Sequence, residues 1–171
     1  MNARAKDAAL ASFDEEWRTL DALFRSLSAS DLERPVYTED GRGWRIRDLI
    51  PHIATWQDRA ARAARKVLTE GIQPKPDDRV RTFIGLTDTV EDMNDVTFNA
   101  WRARPTADLL SEFQTKHAEM MTALAGLTPG QFMGGDSIEE VFMAFRIPGW
   151  QHVRIHRDHV EAALTKEGST R

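Results

Sequence analysis

The chain has 171 residues, 41% hydrophobic and 29% charged, a soluble globular composition with enough apolar side chains for a full core and the length of one domain over residues 1–171. Its formal net charge of −4, from 23 basic and 27 acidic residues, argues against a phosphate-binding face and hence against a nucleic-acid partner. There is no cysteine, which excludes disulfides, thiolate metal sites and a cysteine nucleophile, so any thiol chemistry needs a thiol brought in from solution.

From the N-terminus, Leu10, Phe13, Trp17, Leu20, Phe24 and Leu27 recur in steps of three and four, which predicts a helix over about residues 6–28. Acids at Asp7, Asp14, Glu15 and Glu16 interrupt this region. It lacks the apolar core of a signal peptide, and a cytoplasmic protein is expected. No apolar run approaches the roughly 18 to 20 residues that span a bilayer, so no membrane partner is expected. Ser28 to Pro35 breaks the first helix. After Gly41-Arg42-Gly43, a second stripe runs through Ile46, Leu49, Ile53, Trp56, Ala60, Ala63 and Val67, with Gly71 just beyond it. Pro51 falls inside this stripe and either kinks the helix or marks its first turn, placing the start between Ile46 and Pro51.

Residues 72–88, with Pro74 and Pro76, read as a connecting loop. A shorter helix over about Val90 to Arg104 carries Met93, Phe98 and Trp101 and ends at Pro105, after which Thr106 caps the next helix. The third long stripe is Leu110, Phe113, His117, Met120, Leu124 and Leu127, ended by Thr128-Pro129-Gly130. Gly134-Gly135 is a loop and Ser137 to Phe145 a short apolar segment. The last helix is expected to begin near Pro148-Gly149, with proline in its first turn, and to run to about Lys166, with Gly168 beyond. No segment alternates well enough to be a strand. Four long amphipathic helices, with a long connection and a short extra helix between the second and third, predict an all-α four-helix bundle.

Five histidines occur, and three share the run His152-Val153-Arg154-Ile155-His156-Arg157-Asp158-His159. At roughly 100° per residue, His156 lies about 40° and His159 about −20° from His152, one turn apart on one face. Val153, Val160 and Leu164 lie at about 80–120°, so the histidines border the buried stripe while Arg154, Asp158, Glu161 and Thr165 face away. Two imidazoles so spaced can bind one ion of zinc, nickel, iron or copper, but a third ligand must come from another helix. His52, beside Leu49 and Trp56 at the edge of the second stripe, is the candidate. His117 sits mid-stripe where a leucine is expected, and reads as a hydrogen-bonded core histidine or a group orienting a ligand. Trp56 and Trp150 are candidate pocket walls. Tyr37, the only tyrosine, precedes the second helix as a candidate proton donor. Arg154 and Arg157 read as solvated charges.

The segment from Gly43 to Trp56, with Trp44, Asp48, Leu49, His52 and Trp56, resembles the Trp-x-x-x-Asp-Leu-x-x-His-x-x-x-Trp stretch that opens the second helix of DinB/YfiT-like proteins. Phe98-Asn99-Ala100 before Pro105 looks like their lead into the third long helix, and His152-x-x-x-His156 is similar to the pair on their last long helix. The resemblance implies a bundle of up-down-down-up order, with a metal held by His52, His152 and His156. His159 remains an alternate ligand or a supporting group. Superfamily members include mycothiol-, bacillithiol- and glutathione-dependent transferases and isomerases, among them the maleylpyruvate isomerase type, and a DfsB-type branch with the colibactin self-protection protein. The resemblance therefore implies a divalent ion (zinc or nickel), a small-molecule substrate, a low-molecular-weight thiol and a homodimer. The expected activity is metal-activated thiol transfer or hydrolysis. The competing expectation is a non-catalytic homodimer of the same fold that binds a small molecule or serves a stress response.

Overall fold

The apolar stripes become helices in the computed structural model, which describes residues 2–39 and 42–165. Helix α1 (Ala3–Ser26) starts behind Asn2, whose side chain accepts from the Arg4 amide, and buries Phe13, Trp17, Leu20 and Phe24. A short helix α2 (Ala29–Leu32) follows in the expected break. Then comes a feature absent from the sequence expectation: strands β1 (Pro35–Glu39) and β2 (Arg42–Arg45) pair antiparallel. Each strand is too short to show a period of two, and a register irregularity between Pro35 and Tyr37 blurs it further.

Helix α3 (Ile46–Glu70) starts at the early limit of the expected range, which puts Pro51 in its second turn. Asp48 fixes that start. Its carboxylate accepts from the Arg45 backbone amide at 3.0 Å and from the Arg45 guanidinium at 3.0 and 2.9 Å. Gly71 closes the helix at φ 68°, a left-handed cap that disfavours a side chain. The connection to the next long helix holds α4 (Val80–Phe83) and α5 (Val90–Trp101). Helix α6 (Thr106–Ala125) is capped by Pro105 without a side-chain hydrogen bond; Thr106 is its first helical residue and does not cap it.

After α7 (Pro129–Phe132) and a 3₁₀ turn over Ile138–Glu140, α8 (Met143–Arg146) runs through a π-helical segment, Ile147–Gln151, into α9 (His152–Thr165). Pro148 is therefore inside a continuous helical path and not at a helix start. The wider π turn accommodates a ring that would press on the preceding turn of an α-helix. The expected helix end at Lys166 and Gly168, and Gly41 ahead of the second stripe, lie outside the described residues.

The fold is mostly helical, with both α3 and α1 packed on α6 and α9. One apolar cluster joins α1, the C-terminal half of α3 and α8 around Phe13, Phe132 and Phe145; a second joins the hairpin, the start of α3 and α9 around Trp44, Ile53 and Val153. No helix among the described residues is long and apolar enough to cross a membrane.

One buried charge ties this frame together. The Lys6 ammonium, 7% exposed, donates to the carbonyls of Ala125 (2.7 Å) and Leu127 at the end of α6. It thereby satisfies carbonyls that have no partner within the helix. Lys6→Met keeps the stem and leaves those carbonyls unpaired. Urea unfolding is expected to show a loss of about 2 kcal/mol, the range for hydrogen bonds from a charged donor.

Candidate metal centre

His52 projects from the second turn of α3, and His152 and His156 from the first two turns of α9. Trp44, fully buried on β2, packs edge-on against His52 at 5.2 Å between ring centres, and Trp56, one turn further along α3, stands edge-on to His152 at 5.4 Å. Each element of the tryptophan-aspartate-histidine-tryptophan spacing thus has a local task. Asp48 starts the helix, Trp44 backs the His52 ring, and Trp56 walls the far side.

The three rings meet through their Nε2 atoms. His152 Nε2 lies 3.0 Å from His52 Nε2 and 2.9 Å from His156 Nε2. Candidate ligand atoms of the three residues all fall within 4.8 Å of one another. Hydrogen bonding does not account for this arrangement, because the single lone pair of His152 Nε2 cannot accept well from two imidazoles at once. A cation satisfies all three nitrogens. With Zn–N bonds of about 2.0–2.1 Å, two ligands on a tetrahedral ion stand about 3.3–3.4 Å apart, a few tenths of an ångström beyond the spacing seen here. The donor set therefore fits a divalent transition-metal ion.

Burial keeps these rings neutral. It pushes His52 down to about 4 from an ordinary 6.5, against an opposing pull from Asn94. His152 and His156 are driven well below 6.5 by burial first, and then by the neighbouring imidazoles. Near neutral pH all three offer lone pairs.

The triad forms the floor of a cavity of about 470 Å³ whose walls include Tyr37, Trp56, Val90 and Ile155. Its lining is mainly apolar, as in small-molecule sites. His159 joins the cavity too, with its Nδ1 3.4 Å from Nδ1 of His156 and Tyr37 edge-on to its ring at 5.1 Å. It stands behind a triad ring, in the place of a supporting group. Two sequence candidates lie elsewhere. Trp150, two positions before His152 and so on the opposite side of the helical path, packs half-buried against the Phe13–Phe145 cluster and does not line the cavity. His117 stacks on Trp17 at 4.1 Å, with Nε2 3.1 Å from Asp14 and Nδ1 3.4 Å from Gln57, and is a hydrogen-bonded core histidine. Sequence reasoning missed Val90, Asn94 and Ile155. Only a polar residue at a helix position next to buried Met93 hinted at Asn94.

Fold and site together define a helical protein with a largely buried triad of neutral histidines opening on a mainly apolar cavity. By sequence it belongs to the mycothiol maleylpyruvate isomerase N-terminal domain family, whose model matches residues 13–135, within the DinB/YfiT-like superfamily. The match includes His52 and stops short of His152 and His156, so the triad stands on its own geometry. No curated protein and no solved structure matched the chain.

Proposed function

We propose that the protein is a metal-dependent enzyme. It holds one zinc or nickel ion through His52, His152 and His156 and activates a low-molecular-weight thiol for transfer to a small electrophile, with hydrolysis as the related reaction. The observation that carries this reading is the convergence of three neutral Nε2 atoms on the floor of an open cavity. The packing of α1, α3, α6 and α9 around one another supports the up-down-down-up bundle of the superfamily.

A divalent ion at this place supplies Lewis acidity, lowering the pKa of a thiol or water so that its anion is available near neutral pH. The chain supplies the rest. Three uncharged ligands leave the cation's charge undiminished, where a carboxylate would offset part of it. Trp56, Val90 and Ile155 exclude water from one side of the cavity and offer an apolar surface to the electrophile. His159 restrains the His156 ring, and Trp44 restrains that of His52. The chain has no cysteine, so the sulfur comes from a soluble thiol. In the transfer, a carbon–sulfur bond forms, the bond from that carbon to the leaving group breaks, and the thiol proton passes to solvent.

Metal analysis after zinc or nickel loading and gel filtration tests the site. About one ion per chain is expected in the wild type and none in His52→Ala, in line with the need for a third ligand to complete a tight histidine site. Equal occupancy in both overturns the ligand assignment. Turnover separates the enzyme from a binding protein. Ion-dependent conjugation of an aryl halide by mycothiol or glutathione supports the enzyme, and saturable binding without product supports the non-catalytic reading.

A further inference from the structure

The rings of the triad differ in what stands behind them. His156 meets His159 through Nδ1, whereas Nδ1 of His52 is buried with no hydrogen-bond partner among the described residues. Beside it lies Asn94, 1% exposed, on the same cavity wall, and its side-chain oxygen is also buried without a partner. A potential donor and a potential acceptor thus lie orphaned next to each other, in an interior where such groups are nearly always paired.

Packing sets this juxtaposition. The Thr89–Asp92 capping box starts α5, and Val90, Asn94 and Thr97 then fall on one face by their spacing of four and three. That face lies on α3: the Thr97 hydroxyl is 3.5 Å from that of Thr55, three residues beyond His52. α5 runs antiparallel to α3, with Asp88 paired to Arg59 just before it and Phe98 against Trp44, and Asn94, between these contacts, lines the cavity beside His52. The pull of Asn94 on His52 reports the same proximity.

We propose that Asn94 is a positioning residue whose side-chain oxygen accepts the Nδ1 proton of His52, fixing the tautomer that leaves the Nε2 lone pair free at the centre of the triad. The other tautomer carries its proton on Nε2, which would block that ligand and set an N–H against His152. An acceptor behind a ligating imidazole also holds the ring plane and raises its basicity. The functional consequence rests on the metal reading above; the tautomer itself does not.

Long-range ¹⁵N NMR of the His52 ring in zinc-free protein is the direct measurement. The wild type is expected in the Nδ1–H form, and Asn94→Leu, which keeps the volume and removes the acceptor, is expected to shift it toward Nε2–H. Zinc affinity is expected to fall about ten- to a hundredfold in Asn94→Leu, the range for a lost partner behind a ligating histidine, with the melting temperature of the zinc-free protein preserved. Asn94→Asp restores an acceptor and is expected to keep both the tautomer and the affinity. An Nε2–H form in the wild type, or unchanged tautomer and zinc affinity in Asn94→Leu, overturns the proposal. Should Asn94→Leu fail to fold, the wild-type tautomer and Asn94→Asp decide it. Zinc retained by His52→Ala, by contrast, sinks the metal reading and leaves the tautomer test standing.

Discussion

Gly149→Ala is expected to destabilise the protein by about 3 kcal/mol, the upper part of the range for an overpacked core, and to weaken metal binding at the same time. Gly149 sits in the π turn immediately before His152, buried against α1. A methyl group there would come within 2.7 Å of Cζ of the Phe13 ring and closer still to Cδ2 and Cε2. Phe13 cannot swing away, because it is fully buried and packs on Phe132 at 5.9 Å. Relief has to come from moving the helical path away from α1, and His152 moves with it. Urea unfolding of the single variants and of the double variant with Phe13→Leu isolates the contact. Phe13→Leu alone destabilises by opening a gap, but in the Gly149→Ala background it is expected to stabilise, a coupling of more than 1 kcal/mol. Simple additivity would show that the ring and the glycine do not set each other's position.

That glycine also marks where sequence legibility ends. The long helices α1, α3, α6 and α9 are readable because each buries one stripe against the others, and the period of that stripe survives in sequence. Pro148-Gly149 carries the signal of a helix start. Reading it as a π turn inside a longer path requires knowing that Phe13 occupies the space a Cβ would fill, which is a long-range fact. The hairpin is hidden for a different reason. Among the described side chains its strands contribute Trp44 alone as a buried position, and no periodicity can be established over so few residues.

The triad was legible from two local patterns, the one-turn spacing of His152 and His156 and the tryptophan-flanked His52. What the chain alone leaves open is which nitrogens meet, and whether His159 joins them or stands behind. Distance answers this: Nε2 atoms converge for the first three, while His159 meets His156 from the far side, Nδ1 to Nδ1. His117 was undecided because a histidine in an apolar stripe has the same spacing whether it packs or ligates, and its stacking on Trp17 assigns it to the core. Asn94 was barely hinted at because the cavity it lines is built from other helices, with His52 lying 42 residues away by sequence number.

The ion-free protein is expected to lose stability steeply as pH falls from about 6.5 toward 4, and the triad is the cause. Unfolded imidazoles take up protons from about pH 6.5 downward. In the folded chain His52 resists protonation until about 4, because burial penalises its charged form. Between those values the unfolded state binds more protons than the folded one, so protonation favours unfolding and stability declines with acidification. At about 1.4 kcal/mol per unit, His52 alone accounts for roughly 3 kcal/mol over this window. His152 and His156 are shifted the same way, as is His117, where burial outweighs the opposing pull of Asp14. Set against a typical domain stability of about 5–15 kcal/mol, the His52 contribution is already a large fraction, and the other three act in the same direction. Urea unfolding at pH 7 and pH 5 in the presence of EDTA measures the effect. Replacing His52 and His152 by leucine removes two of the proton sinks from the unfolded state and is expected to flatten the dependence. A variant with the wild-type slope would locate the acid sensitivity elsewhere. Zinc is expected to raise stability at pH 7 far more than at pH 5, since the same nitrogens that bind the ion must first be free of protons.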